Sequence, residues 1–287
     1  MRYYFLAILC SILISSCKHD HQHNADGSHP HDHETHEHTG HDHESHEHTG
    51  HHHDNHEHAG HDHDDHHHED EQQSVMNTLT DKEIAAGWKL LFDGKSITSW
   101  TGYQTDISPK WSADSGTLHF NPKAIGEGGD IITKNQYQDF ELSLDWKISD
   151  CGNSGLFWNV VNDEKYNRTY MTGPEMQILD NKCHPDAKIV THRSGDLYDM
   201  IETSSMTVKP AMQWNSIRVI SKDSAYEFYQ NGVKVVQFTM HTKEWDDMVA
   251  NSKFNGMEAF GKSKSGHLAL QDHGDEVWFR NIKIREI

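Results

Sequence analysis

Hydrophobic and polar residues alternate with a period of two over much of the chain, most cleanly at Phe140–Ile148. There Leu142, Leu144, Trp146 and Ile148 share one face, and Glu141, Ser143, Asp145 and Lys147 share the other. Successive side chains of a strand point to opposite faces, so this is a strand with one buried side. Residues 172–181 repeat the pattern over a shorter span: Met176 and Ile178 face one way, Glu175 and Gln177 the other. Gly173-Pro174 opens that strand and Asp180-Asn181 closes it with turn chemistry. Further strands are predicted at 88–92, 117–120, 130–133, 154–160, 214–221, 225–229, 233–238, 267–270 and 276–287. Asn231-Gly232 supplies the strongest hairpin turn signal. Two stretches carry helical signals: 74–86, where Thr80 and Glu83 form a capping box, and 242–252, with Trp245, Met248 and Val249 at helical spacing. Many short strands with few helices predict an all-β chain, an antiparallel β-sandwich of jelly-roll type, with a β-barrel as the alternative.

The first 73 residues follow other rules. Residues 1–16 read as a secretory signal, since Arg2 precedes an apolar run over 3–14 that is too short to remain as a spanning helix. The run ends Leu13-Ile14-Ser15-Ser16-Cys17, which resembles a bacterial lipoprotein cleavage box with Cys17 as the lipidated N-terminus. Acyl chains there would hold the protein on a membrane, each buried methylene contributing about 0.8 kcal/mol. Lys18 after the cysteine favours the outer membrane of the cell envelope by resemblance to known sorting rules. Residues 17–73 form a tether of His, Asp, Glu, Gly and small polar residues, with a ten-residue repeat that starts at His36, His46 and His56. Without Val, Ile, Leu or aromatic residues it cannot offset chain entropy, so disorder is expected. All but six of the 28 histidines lie there. Imidazoles such as His36, His38, His41 and His43 with interleaved carboxylates suit Zn, Ni or Cu(II), unless the tail is simply a solvated anionic tether.

The tail also carries most of the net charge of −20, which therefore says little about the partners of residues 74–287. That stretch is long enough for one domain with a full core. It shows no basic patch with interleaved aromatics, which argues against nucleic acid. Its only cysteines, Cys151 and Cys183, pair or remain free thiols, and the sequence leaves both open.

Within the domain, polar side chains recur on strand faces whose other side is apolar. Glu175 and Gln177 form one such pair. Gln271 and His273 form a second if the strand bearing Leu268 and Leu270 continues. We expect both pairs to line one groove. The loop 183–196 and the segment after it add His192, Arg193, Asp196 and Tyr198, and the turn before Ser154 adds Asn153. For His119, His184 and His241 a structural role is expected. Trp158, Trp214 and Trp278 are expected in the core rather than as sugar platforms.

The segments GWKLLFDG from Gly87, NSGLF from Asn153, EMQILDN from Glu175, GDLYD from Gly195, QWN from Gln213, the Asn231-Gly232 turn, and LQDHG from Leu270 with FRNI from Phe279 resemble, in that order, the 3-keto-disaccharide hydrolase domain family. The resemblance covers nearly all of the chain after the tail, but neither the His-rich repeat nor the two cysteines. It implies a concanavalin-like sandwich, a carbohydrate substrate, and cleavage of glycosides already oxidised to a ketone at C3. A C3 ketone acidifies the C2 hydrogen, so a general base of near-neutral pKa can start an elimination. Donors or a divalent cation would stabilise the oxyanion. On that reading Glu175 and His273 share the base and metal-ligand roles and Arg193 faces the oxyanion. Gln177, Gln271, Asp272, His192, Asp196, Tyr198 and Asn153 would hold the sugar. Three other readings compete: a two-carboxylate glycosidase pairing Glu175 with Asp272 or Asp196, a non-catalytic carbohydrate-binding lipoprotein, and a metal-buffering tail on an inert domain.

Overall fold

A computed structural model of the protein describes residues 75–287, so the signal, Cys17 and the His-rich tail lie outside the described residues. The described chain is an antiparallel β-sandwich, as expected. In chain order its strands are β1 (Lys89–Leu90), β2 (Trp100–Gly102), β3 (Trp111–Asp114), β4 (Thr117–Phe120), β5 (Ile131–Thr133), β6 (Phe140–Ile148) and β7 (Asn153–Val160). They continue as β8 (Glu175–Leu179), β9 (Asn215–Lys222), β10 (Ala225–Gln230), β11 (Val233–Thr239), β12 (His267–Leu270) and β13 (Val277–Glu286). One sheet of eight strands runs β11-β10-β9-β6-β13-β4-β3, with β1 also paired to β13. The other has five strands in the order β2-β5-β12-β7-β8.

The core lies between the sheets. Leu142, Leu144, Trp146 and Ile148 of β6 meet Leu156 and Trp158 of β7 and Met176 and Ile178 of β8 in one buried cluster. Trp158 packs across the sandwich against Tyr226 and Phe228, with ring centroids 5.3 Å away in each case. Burying side chains of this size provides most of the folding free energy, at about 25 cal/mol per Å² of apolar surface.

The helical stretches are shorter than the sequence suggests. α1 is only Asp81–Ala85, opened by the Thr80–Glu83 capping box. The residues before it cannot join the helix, because Asn77 exchanges two hydrogen bonds with Asn281 and donates a third to Gly116. α2 (Lys243–Ala250) is capped by Thr242 and buries Trp245, which stacks between Phe238 at 5.6 Å and Phe260 at 6.3 Å. Strands β2 and β3 have no counterpart in the sequence reading; at three and four residues they are too short to show a period.

Trp158 is in the core, but Trp214 and Trp278 are not. They lie half-buried on the outer side of the large sheet under cations. Arg280 sits 4.0 Å from the Trp214 ring, and Lys147 4.2 Å from that of Trp278. Trp278 follows the polar register of β13, Trp214 lies just before β9, and the cationic stems cover the rings. His119 is structural as expected, bonded to Glu276 at 2.9 Å.

Candidate active site

Strand register assembles the site on the face of the five-stranded sheet that points away from the core. Gly155 pairs with Gln177, Phe157 with Glu175 and Asn153 with Leu179 between β7 and β8, while Leu270 of β12 pairs with Leu156. β12 ends at Leu270, yet Gln271 still donates its backbone N–H to Gly155 at 3.0 Å, which keeps it in the row. Gln271, Gly155 and Gln177 therefore stand side by side, flanked by Glu175 on one side and by Asn153 and His273 on the other. Gly155 is the floor. A Cβ there would collide with the Glu175 carboxylate, so only glycine leaves room for it.

Glu175, Gln177, Gln271, Asn153 and His273 line one cavity of about 150 Å³ together with Tyr198, Tyr170, Lys253 and Phe254. The two polar pairs expected to share a groove do share it, and Asn153 and Tyr198 join them. Glu175 and Gln177 are not solvated, being 6% and 1% exposed. Tyr198 roofs β8 because residues 195–198 run along its free edge, with Gly195 N donating to Gln177 O at 2.9 Å, Gln177 N to Asp196 O at 3.1 Å and Tyr198 N to Glu175 O at 3.0 Å.

The electrostatics centre on Glu175. None of the described residues donates a hydrogen bond to its carboxylate, and burial pushes it up to about 8. Lys253 is the cation that opposes this shift, whereas Asp130 and Asp186 reinforce it. The Lys253 ammonium lies 3.9 Å from the centre of the Tyr198 ring. Burial, then the nearby carboxylates Asp186 and Glu175, raise the Tyr198 phenol well above its usual range. Two buried acceptors complete the lining: Asn153 Oδ1 and Gln271 Oε1 have no hydrogen-bond partner among the described residues. Orphaned acceptors of this kind cost free energy unless a ligand donates to them. Gln177 Oε1, by contrast, accepts from Ile178 N at 3.0 Å.

The remaining sequence-predicted residues stand elsewhere. Arg193 does not line the cavity; its guanidinium donates to Ala187 O at 2.9 Å and pairs with Glu202 at 3.6 Å. Asp196 is fully buried and accepts from Arg193 N at 2.6 Å and Thr203 N at 2.7 Å, holding the loop that carries Tyr198. Burial pushes its carboxyl up to about 7. His192 packs, tilted, against Tyr198 at 4.2 Å between ring centroids and bonds Asp199 at 2.8 Å; the other oxygen of Asp199 accepts from Lys253 N at 2.6 Å. His192 and Asp199 thus position the Tyr198–Lys253 wall without touching the cavity. Asp272 turns to a separate hollow, where it accepts from Gly129 N at 2.7 Å and Gly274 N at 2.9 Å. Alternation along the chain puts it on the side opposite Gln271 and His273.

Lys253 and Phe254 carry no signal in the sequence, where a lysine just past a helix reads as a solvated end. Phe254 anchors the loop by stacking 3.9 Å from Phe260, leaving Lys253 over the cavity. Cys151 and Cys183 are joined as a disulfide, with Cα atoms 4.6 Å apart, tying the start of β7 to the turn after β8. Glu175 is not in a group of possible metal ligands; His273 is, together with His184 and Asp275.

The model of the 3-keto-alpha-glucoside-1,2-lyase-like domain matches residues 87–285. The chain belongs to this family. A curated relative named 3-keto-disaccharide hydrolase, from Bacteroides thetaiotaomicron, is 36% identical, covering 73% of this chain and 82% of the relative. Two solved structures of glycosyl hydrolase candidates from Parabacteroides distasonis share the fold. One has a TM-score of 0.68 at 32% identity over 74% of this chain and 100% of its own; the other has 0.54 at 27% over 70% and 99%. The matched span contains every residue that lines the cavity, so family and site coincide on the same face of the sandwich.

Proposed function

We propose that the chain hydrolyses glycosides, and that its substrates carry a ketone at C3 of the sugar and are cleaved by elimination followed by hydration. The observation that carries this reading is the acid–base content of the cavity. Among the described residues Glu175 is the only carboxylate lining it, unpaired and raised to about 8, with Lys253 as the nearby cation. A glycosidase that protonates and displaces in the ordinary way needs two carboxylates flanking the bond. Neither Asp272 nor Asp196 provides the second. A single base of near-neutral pKa instead suits removal of a carbon-bound proton.

In the proposed sequence the Glu175 carboxylate takes the proton from C2, and the electron pair moves into an enediolate with its negative charge on the C3 oxygen. Lys253 stabilises that charge, the role assigned from sequence to Arg193. The pair then returns to form the C1–C2 double bond as the C1–O bond breaks. The departing alkoxide takes a proton from a water molecule at the cavity mouth. Water adds its oxygen to C1 and C2 regains a proton, giving net hydrolysis. Asn153 Oδ1 and Gln271 Oε1 accept hydrogen bonds from sugar hydroxyls, which satisfies both orphaned oxygens. The measurement is aglycone release from matched 3-keto and unoxidised glycosides. Turnover confined to the 3-keto substrate is expected, and equal rates would overturn the elimination route. Binding without turnover of either would favour a carbohydrate-binding module.

The chain is proposed to act in the bacterial envelope as a lipoprotein anchored through Cys17. The Leu13–Cys17 pattern supports this, as does a disulfide of the kind oxidising compartments allow. Acyl labelling that persists in Cys17→Ser would overturn it.

A further inference from the structure

At the mouth of the cavity, His184, His273 and Asp275 converge, each offering a ligand atom, with these atoms within 4.8 Å of one another. They come from two segments held together by covalent and hydrogen bonds. His184 follows Cys183, which is tied to Cys151, and its backbone N–H donates to Asp180 O at 3.1 Å. Asp275 accepts from Asn153 N at 3.0 Å through one oxygen, and among the described residues no lysine or arginine pairs with it. His273 Nε2 stands 3.5 Å from Asn153 Nδ2. Asn153 itself is 2% exposed, lines the cavity and has an unpartnered Oδ1. Two imidazoles and a carboxylate that no lysine or arginine neutralises, held together beside the buried Asn153, form a cluster built for a ligand.

We infer that His184, His273 and Asp275 form a divalent transition-metal site on the rim of the Glu175 cavity, its open positions taking oxygen atoms of a bound sugar. Two imidazoles and one carboxylate select Zn, Co, Mn or Fe(II) over Ca or Mg. Bonds of about 2.1 Å at tetrahedral angles place ligand atoms about 3.4 Å apart, so the three groups must close slightly on the ion. His273 is exposed and His184 half-buried, so both rings can turn. His184 Nδ1 accepts from Asp186 N at 3.2 Å. Metal at Nε2 moves the proton to Nδ1, so the ring rotates off that amide. The turn keeps its backbone bonds, Ala187 N to His184 O at 3.1 Å and Ile189 N to Asp186 O at 2.9 Å. The sugar as co-ligand rests on the function proposed above; the metal site does not.

The test uses the full oxidised chain with Co²⁺. Ions held by the tail bind folded and unfolded chains alike and leave the unfolding temperature unmoved, whereas an ion bound only by the folded domain raises it. At a hundredfold excess over Kd the expected rise is roughly 5–10 °C. It is lost in Asp275→Asn and His184→Ala, and crystals soaked in Co²⁺ show anomalous density bonded to all three side chains. A rise undiminished in Asp275→Asn, or no anomalous density between the three residues, overturns the site; Asp275→Asn, nearly isosteric, serves if His184→Ala fails to fold. Glu175→Gln separates the two proposals. It keeps the Co²⁺ stabilisation while losing turnover if both hold, and turnover retained beside an intact Co²⁺ response sinks only the base assignment.

Discussion

Glu141 and Glu175 are both strand glutamates, both lie on the face away from the core, and both are almost fully buried, at 4% and 6% exposure. Their surroundings differ. Glu141 on β6 is gripped by two guanidinium groups, Arg218 of β9 and Arg285 of β13, the latter at 2.7 Å through Nε. Glu175 on β8 has no hydrogen-bond donor among the described residues and sits over a glycine, its charge opposed by burial. Burying a carboxylate is tolerable when it is paired, and the large sheet uses that solution. The small sheet omits it at one position, where a poised base is worth more than stability. The contrast separates a structural carboxylate from a chemical one on the same scaffold.

The sharpest way to break this contrast is Glu175→Gln. Turnover of a 3-keto glycoside is expected to fall about 10²–10⁴-fold, the range for loss of a general base. The same variant should be more stable, with a defined pH dependence. Burial pushes the folded Glu175 carboxyl up to about 8 from an ordinary 4.5. The folded protein therefore keeps a proton that the unfolded chain has released between those values. Native stability falls as pH rises through that window and levels off above it. Glu175→Gln lacks the fall, so denaturant titrations should show no difference near pH 4 and a gain of roughly 3–5 kcal/mol at pH 8 and above. Equal stability at both pH values would mean that Glu175 is ionised without cost.

Lys253→Met tests the cation. Lys253 lowers the Glu175 pKa, so the ascending limb of the pH–rate profile should move to higher pH in the variant. The rate on the plateau should fall by about 10–100-fold through loss of oxyanion stabilisation. An unmoved profile would remove Lys253 from the site. The smallest catalytic effect belongs to Glu141→Gln: kcat/KM should be unchanged while stability drops by about 1–3 kcal/mol, as two partly exposed arginines lose a charged partner. A comparable loss of turnover there would mean that the two glutamates are not distinct in role.

Much of this was legible along the chain. Alternation placed Met176 and Ile178 in the core, put Glu175 with Gln177 and Gln271 with His273 on the other face, and identified an antiparallel sandwich. These readings hold because a strand's period is local and survives whatever packs against it. Lys253, Phe254 and the divergent fates of Asp272, Asp196 and Arg193 were not legible. Each depends on which loop folds over which face, and a carboxylate's letter does not say whether backbone amides will claim it.

The sequence by itself determined that Glu141 and Glu175 point away from the core, because alternation settles direction. Only the tertiary structure decided that one meets two arginines and the other a cavity with Lys253 at its edge. The partners come from strands and loops distant in the chain, and their register and burial, rather than any local pattern, set the charge each carboxylate can carry.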